Sequence, residues 1–164
     1  MSYELVQDSI SMEDNKVTQW DIRFIELAKE VSAWSKDPST KIGAVIVSPD
    51  RRDIKLGYNG FARKMKDSPE FYENRELKYS RIIHGEINAI ILAKCSLDGY
   101  TLYTWPFMPC DRCAPVVIQS GITRVVAPLP SNDKLERWKN SFDLSLSYFE
   151  EAGVEVVQFS YNNE

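Results

Sequence analysis

Residues 41–57 have the sequence KIGAVIVSPDRRDIKLG, and this stretch decides the fold. Residues 41–47 form an apolar run rich in β-branched side chains, which is typical of a buried strand. The Ser-Pro-Asp-Arg sequence at 48–51 favours a tight turn, and a second strand is predicted over residues 53–57. The stretch therefore predicts a β-hairpin around which the other elements are arranged.

Helical and strand-like segments alternate on both sides of this hairpin. Apolar residues recur at helical spacing over 20–34, with charged residues between them. Further helices are predicted over 84–95, 110–119 and 135–152, and further strands over 102–104, 124–127 and 154–159. This alternation of roughly five strands and four helices predicts an α/β sandwich.

A chain of 164 residues is long enough to bury a core as one domain. We predict a loose, acidic N-terminal stretch over residues 1–18 and a single domain over residues 19–164. The polar connection over residues 59–80 is long for a compact domain, and connections of that length are commonly functional or locally helical. We therefore expect this segment to bind a ligand or to move.

The composition excludes several classes of protein. Hydrophobic residues make up 43% of the chain and charged residues 27%, as in ordinary globular proteins. The apolar runs are too short to cross a membrane, and the N-terminus does not resemble a signal peptide. A net charge of -4 provides no general attraction for nucleic acid, which favours a small substrate. Three cysteines, two of them in a C-x-x-C pair, favour a reducing cytoplasm.

Three side chains have the types and spacing of metal ligands. His84 is the only histidine, and Cys110 and Cys113 lie three residues apart at a predicted helix start. Three ligands leave the fourth tetrahedral position of a zinc ion open for water, as in catalytic sites. Cys95 would lie about 16 Å beyond His84 along its helix, so it is expected to be a small buried core residue instead. We predict one zinc ion per chain.

Glu86 is predicted to carry protons beside this metal. Residues two apart in a helix point in nearly opposite directions, so at the helix start His84 can bind the ion while Glu86 reaches the water position. The sequences His84-Gly85-Glu86 and Pro109-Cys110-Asp111-Arg112-Cys113 together form the signature of zinc-dependent base deaminases. Glu86 would take a proton from the activated water and return protons to the base and its leaving amine. A redox pair or a zinc knuckle would explain the cysteines alone, but neither needs Glu86.

The chain resembles the cytidine and deoxycytidylate deaminase family, and within it most of all the deoxycytidylate deaminases. The likeness extends over residues 20–128. Besides the zinc signature, it comprises KIGAVIV at 41–47, GYNG at 57–60, Asn-Ala-Ile at 88–90 and GI-x-RVV at 121–126. The chain departs from the family at Gly85 and Ile87, where alanine and glutamine are common, and residues 67–80 lack the Cys and His of a second zinc site.

This resemblance implies a three-layer α/β/α sandwich with a central mixed sheet of five strands. It implies hydrolysis of dCMP to dUMP and ammonia, which supplies thymidylate synthesis, by a homo-oligomer that is often a hexamer. It also implies activation by dCTP and inhibition by dTTP through a candidate effector loop, Gly57, Tyr58, Asn59 and Gly60.

Candidate substrate-binding residues follow from the same motifs. Asn59 matches the family asparagine that contacts the sugar, and Tyr58 and Asn88 lie in the shared motifs beside it. A nucleotide phosphate also needs a cation. We assign Lys64 and Lys66 as candidates for it. The competing cations are Arg63, Arg75, Lys78 and Arg81.

Two alternatives remain open at the level of sequence. The zinc signature does not distinguish dCMP from 5-substituted dCMP, cytidine, guanine or adenosine in transfer RNA. Recognition of transfer RNA would call for a basic groove, which the acidic balance disfavours. The other alternative is a noncatalytic nucleotide-binding module that contains zinc, although such a module has no use for Glu86.

Overall fold

The computed structural model describes residues 2–4 and 17–162. Its strands are β1 (Ser2–Glu4), β2 (Gly43–Val47), β3 (Ile54–Tyr58), β4 (Gly60–Phe61), β5 (Ile82–Ile83), β6 (Thr101–Trp105), β7 (Arg124–Pro128) and β8 (Glu155–Asn162). Its helices are α1 (Gln19–Ser32), α2 (Pro69–Glu73), α3 (Arg75–Arg81), α4 (Gly85–Ala93), α5 (Ala114–Gln119) and α6 (Asn132–Ala152). No helix within these ranges is long and apolar enough to cross a membrane.

One mixed sheet forms the centre of the fold, with the strand order β1-β8-β7-β6-β2-β3. Strands β6, β7 and β8 run parallel, whereas β2 is antiparallel to both β3 and β6. The predicted hairpin is therefore the β2–β3 pair, at one end of the sheet. The predicted mixed sheet of five strands is confirmed, and the three-residue β1 extends it along β8.

Helices cover both faces of this sheet, as the predicted sandwich requires. All five residues of β2 are buried, and the four that follow Gly43 alternate between two core clusters. Ala44 and Ile46 join the cluster that includes residues of α4, α5 and α6. Val45 and Val47 join the cluster that includes residues of α1. A strand covered on both faces is continuously apolar, which is the pattern that residues 41–47 carry.

The segment of residues 59–80 contains two short helices that the sequence analysis did not locate. Helix α2 has Pro69 in its first turn, and the side chain of Asn74 caps α3 by accepting a hydrogen bond from the Leu77 amide (3.1 Å). Together with the short strands β1, β4 and β5, they raise the count in the described ranges to eight strands and six helices. The expected five strands and four helices were too few, because elements of two to seven residues are too short to show a hydrophobic period.

Two further predictions were wrong in detail. Helix α4 ends at Ala93, and Lys94 then adopts a left-handed conformation with φ 52°. Cys95 consequently lies outside the helix and is exposed, not buried. Helix α5 begins at Ala114 instead of at residue 110, so the cysteine pair precedes the helix in a turn.

The N-terminal prediction falls mostly on residues that the structure does not describe. Within the stretch 1–18, residues 5–16 lie outside the described residues, as does residue 1. Residues 2–4 pair with β8 as strand β1. Thr18 caps α1 through a reciprocal pair of hydrogen bonds with Asp21. The single domain over residues 19–164 stays a prediction.

Candidate active site

The start of α4 holds two of the predicted site residues. His84 is the N-cap residue of α4, and Glu86 lies in its first turn. Helix α4 packs directly on β3, and a Cβ atom at Gly57 would come within 2.4 Å of the Ala89 backbone nitrogen. Only glycine permits this approach, which brings the helix start close to the backbone of the hairpin. The sheet thereby fixes the position of His84 and Glu86.

The two cysteines lie in a turn that leads into α5. The amides of Cys113 and Ala114 both donate to the Cys110 carbonyl, at 3.1 and 2.9 Å. Pro115 lies in the first turn of α5, where its missing N–H costs no helical hydrogen bond. This turn brings both sulfur atoms towards the start of α4.

The three predicted ligands meet at one point. His84 Nδ1 lies 3.2 Å from Cys113 Sγ and 3.6 Å from Cys110 Sγ, and the three ligand atoms lie within 4.8 Å of one another. Ligand atoms of a tetrahedral zinc ion are separated by about 3.5–3.8 Å, given Zn–S and Zn–N bonds of about 2.3 and 2.1 Å. The residues therefore fit a zinc ion that has one further position available for water.

The charges of this cluster are strongly coupled. A hydrogen bond from Cys113 and the nearby His84 lower the pKa of Cys110 to about 4 against the opposing effect of burial. The same bond to Cys110, together with burial, raises the pKa of the Cys113 thiol. The hydrogen bond with Cys110 raises the pKa of His84, although burial opposes it. The low pKa of Cys110 favours its thiolate form at neutral pH, and binding of a metal would release the protons that the other ligands carry.

Glu86 lies beside this cluster as a buried carboxylate with an unused oxygen. Its side chain is 4% exposed, and Oε2 has no hydrogen-bond partner in the described part of the chain. Burial raises the pKa of Glu86 to about 7, although the nearby His84 opposes the shift. A buried polar atom without a partner requires an explanation, and a ligand or ordered water supplies one. A carboxyl group with this pKa can both accept and donate a proton at neutral pH.

A cavity of about 210 Å³ opens onto His84, Glu86 and Cys110. Its apolar wall includes Ile42, Phe107 and Phe142, and the rings of Phe107 and Phe142 meet edge to face at 5.2 Å. Three cationic side chains also line the cavity: Arg75, Lys78 and Arg137. A concave space with an apolar wall, a few polar groups and a perturbed carboxyl is the usual form of a small-molecule site.

Asn59 lines this cavity, but its side chain also supports the surrounding loop. Its Oδ1 accepts from the Ile42 amide at 2.8 Å, and its Nδ2 donates to the Thr40 carbonyl at 2.9 Å. A longer contact of 3.5 Å joins Nδ2 to Asp37. Asn59 therefore holds residues 37–42 in place as one wall of the cavity. The second lone pair of its Oδ1 can still accept a hydrogen bond from a ligand.

The other candidates from the shared motifs lie outside the cavity lining. Tyr58 is 41% exposed, and its carbonyl accepts a hydrogen bond from Asn88 Nδ2 at 2.8 Å. This bond ties α4 to β3. Gly57 and Gly60 are also absent from the lining.

The structure does not bring the first-choice phosphate cations to the cavity. Lys64 and Lys66 are both exposed and do not line it, and Lys66 pairs with Glu70 at 3.7 Å. Of the competing cations, Arg75 and Lys78 do line it, whereas Arg63 and Arg81 do not. Arg75 and Lys78 lie on the short helix α3, which borders the cavity and which the sequence analysis did not locate.

The sequence analysis missed the contribution of α6. Arg137, Trp138 and Phe142 all line the cavity, and the indole Nε1 of Trp138 is buried without a hydrogen-bond partner among the residues described. The i, i+4 spacing of Trp138 and Phe142 was a usable signal, since it indicates an apolar helix face directed at the protein interior. It did not indicate that this face borders the site.

Comparisons with known proteins agree with this geometry. A family model described as the cytidine and deoxycytidylate deaminase zinc-binding region matches residues 18–129. An uncharacterised deaminase from the luxG 3′ region of Aliivibrio fischeri is 41% identical over 141 residues, which cover 86% of this chain and 94% of that protein. Human deoxycytidylate deaminase is 35% identical over 115 residues, which cover 66% of this chain and 64% of the human protein.

A solved structure shares the fold. The dCMP deaminase of cyanophage S-TIM5, crystallised with dCMP and dUMP, matches with a TM-score of 0.66 at 21% identity. The match covers 87% of this chain and 98% of the phage protein. It supports the arrangement of sheet and helices described above. Helix α6 lies beyond the residues that the family model covers.

Proposed function

We propose that this chain, which belongs to the cytidine and deoxycytidylate deaminase family, hydrolyses dCMP to dUMP and ammonia. The observation that carries the proposal is the unpartnered Oε2 of Glu86, buried in a cavity that His84 and Cys110 of the three-residue ligand cluster also line. A structural zinc site does not require a carboxylate that transfers protons beside the metal. The family membership makes the chain a deaminase, and its substrate is the proposed part.

Glu86 performs the proton transfers in this proposal. His84, Cys110 and Cys113 would hold one zinc ion, which when bound supplies Lewis-acid activation of water. Glu86 accepts a proton from the attacking water and delivers it to N3 of the cytosine ring. After the oxygen has bonded to C4, Glu86 passes the second water proton to the exocyclic amine, and ammonia leaves as the C4–N bond breaks. One water is consumed, and the carboxylate returns to its initial state.

The cavity suits a pyrimidine ring. Ile42, Phe107 and Phe142 give it an apolar wall on which a flat ring can pack, and Asn59 holds Ile42 in place by accepting from its amide. Glu86 is buried, so its carboxylate acts in surroundings of low polarity, where electrostatic interactions are stronger. A duplex nucleic acid does not fit a space of about 210 Å³, although an extruded base would.

Cationic side chains favour a nucleotide over a nucleoside. Arg75 and Arg137 reach the cavity from α3 and α6, and both are exposed, as expected of groups at a cavity mouth. Lys78 is 7% exposed and is held by Asp37 at 3.3 Å, so its charge is already balanced. The two arginines are therefore our candidates for binding the 5′-phosphate. The buried N–H of Trp138 adds a donor beside Arg137.

The wider role is also proposed from family membership. We assign the enzyme to the supply of dUMP for thymidylate synthesis in the cytoplasm, with dCTP as activator and dTTP as inhibitor. Exposed apolar residues on α4 and α5, Ile91, Leu92 and Val116, favour association into a homo-oligomer such as a hexamer. Rates that neither triphosphate alters, or a monomer in solution, would refute these parts without affecting the reaction.

Ammonia release from purified, zinc-loaded protein tests the reaction. The substrates to compare are dCMP, CMP, deoxycytidine and dCTP, each with and without added dCTP or dTTP as effector. We expect selective turnover of dCMP. If none of the four compounds releases ammonia while zinc is bound, dCMP is not the substrate, and a modified pyrimidine, a purine or a polynucleotide becomes the next class to test.

A further inference from the structure

One face of α6 is directed at the segment that carries the cysteines. Arg137, Ser141 and Ser145 follow one another at intervals of four residues, so their side chains project from the same side of the helix. Trp138 and Phe142 form the adjacent row and line the cavity. This face is therefore continuous from the cavity to the turn of residues 110–113.

Two serines on this face bind the backbone on either side of Cys110. Ser145 is fully buried, and its hydroxyl donates to the Pro109 carbonyl at 2.7 Å. The Ser141 hydroxyl donates to the Asp111 carboxylate at 2.6 Å and accepts from the Asp111 amide at 3.1 Å. The backbone is thus held immediately before and immediately after the ligand.

Other contacts hold the segment that precedes these residues. The Thr104 hydroxyl donates to the Phe107 carbonyl at 2.8 Å, and the Phe107 ring packs on Phe142 of α6. The turn itself has the two backbone hydrogen bonds to the Cys110 carbonyl described above. Cys110 lies before α5, which begins at Ala114, and these two bonds hold its carbonyl within the turn. The contacts of the two serines then link this turn to α6.

We propose that Ser141 and Ser145 of α6 are positioning residues for the metal ligand Cys110. They act through Asp111 and Pro109, and they set the distance between the Cys110 sulfur and His84. The inference rests on the zinc site of the proposed function. It adds to that site a helix that lies outside the residues matched by the family model. Groups that orient ligands in this way typically change metal affinity by about 10–100-fold when they are removed.

The test measures zinc affinity directly, with a competing chelator, in the full-length protein. Ser141→Ala removes both hydrogen bonds to Asp111, and we expect it to weaken zinc binding about tenfold. Ser141→Thr retains the hydroxyl and is expected to restore most of the affinity. Ser147→Ala is the matched control, because Ser147 lies on the same helix but donates only to the nearby Leu144 carbonyl. It is expected to bind zinc as the unmodified protein does.

Three further measurements separate positioning from general destabilisation. With cobalt in place of zinc, the visible absorption of Ser141→Ala should shift, because the geometry of the thiolate ligand changes. Asp111→Ala removes the carboxylate that accepts from Ser141 but keeps the backbone amide that donates to it, so the double variant should bind zinc no more weakly than Ser141→Ala alone. Thermal unfolding of the metal-free proteins identifies any variant that has lost stability before the metal is added.

The outcomes are distinct. Zinc affinity and a cobalt spectrum that are unchanged in Ser141→Ala would overturn this inference and leave the proposed function intact. Additive losses in Ser141→Ala and Asp111→Ala would also overturn it, since the two residues would then act independently. If the unmodified protein binds no zinc, the proposed function fails and this inference fails with it.

Discussion

Residues 18–129 and helix α6 contribute to the same cavity in different ways. The first region supplies the metal ligands and Glu86, and it matches the family model. Helix α6 lies outside that match, yet Arg137, Trp138 and Phe142 line the cavity. The reaction demands fixed atom types at fixed separations, whereas a cavity wall demands only shape and charge. The difference teaches that the metal ligands and Glu86 can be recognised from a sequence motif, whereas the part of the cavity wall that α6 supplies cannot.

The largest expected effect lies in the first region, at Glu86. Glu86→Gln keeps the size of the side chain but removes its ability to carry protons. We expect kcat to fall by roughly 10²–10⁴-fold, the range for loss of a general acid–base group, with zinc content unchanged. Glu73→Gln is the matched control, because Glu73 lines the same cavity but is exposed. Near-normal turnover by a zinc-loaded Glu86→Gln protein would refute the assigned role.

Removal of the metal is the next test of that region. A strong chelator should abolish ammonia release, and added zinc should restore it. Binding should also release protons, since the ligands are not fully deprotonated in the metal-free site. Rapid-mixing measurements with a pH indicator can record this release. Full activity in protein whose metal content is zero by elemental analysis would contradict the proposed chemistry.

A smaller effect is expected from the α6 region at Arg137. Arg137→Ala should raise the KM for dCMP about tenfold by removing one charge-assisted hydrogen bond to the phosphate. The same variant should leave kcat/KM for deoxycytidine unchanged, because that substrate has no phosphate. Lys139→Ala is the control, since Lys139 lies on the same helix and pairs with Asp143. Equal losses on both substrates would exclude Arg137 from phosphate binding.

Trp138 allows a finer test of the same wall. Trp138→Phe retains an aromatic ring and removes only the buried N–H. If that group donates to the substrate, kcat/KM for dCMP should fall about 2–10-fold, the usual net value of one hydrogen bond. Trp34→Phe, at a position that is 52% exposed, is the control. If Trp138→Phe lowers the thermal stability of the free protein and leaves kcat/KM unchanged, the role of Trp138 is in packing.

The smallest expected effect is at the cations that the sequence favoured. Lys64 and Lys66 are exposed and do not line the cavity. We expect the double variant Lys64→Ala, Lys66→Ala to keep kcat and KM for dCMP within about twofold, as is usual for surface substitutions. A KM increase like that expected for Arg137→Ala would mean that the 62–66 loop closes over bound substrate.

The sequence predicted the hairpin and the ligand cluster for a physical reason. A strand buried on both faces must be continuously apolar, and zinc ligands must be Cys, His or a carboxylate at particular spacings. Both requirements produce a recognisable pattern in the amino-acid sequence. The prediction for Cys95 failed because its burial depended on where α4 ended, and the left-handed conformation of Lys94 ends the helix at Ala93, two residues earlier than predicted.

The walls of the cavity could not be predicted in the same way. Arg75 and Arg137 are about sixty residues apart in sequence, and only the packing of α3 and α6 brings them to one cavity. The sequence favoured Lys64 over Arg75 as a phosphate ligand, and only the location of the two short helices reverses that order. Their position depends on tertiary contacts, which single-sequence patterns do not record.

Strand β2 contributes side chains to both faces of the sheet. Its alternate residues belong to the two core clusters on opposite faces of the sheet, so the backbone of β2 connects one cluster to the other. A ligand that binds only the folded state raises the free energy of unfolding. Zinc bound near α4 is therefore expected to slow global amide hydrogen exchange in α1 as well, although α1 contributes no residue to the cavity lining. The two faces of the sheet would then respond to the metal as a single cooperative unit.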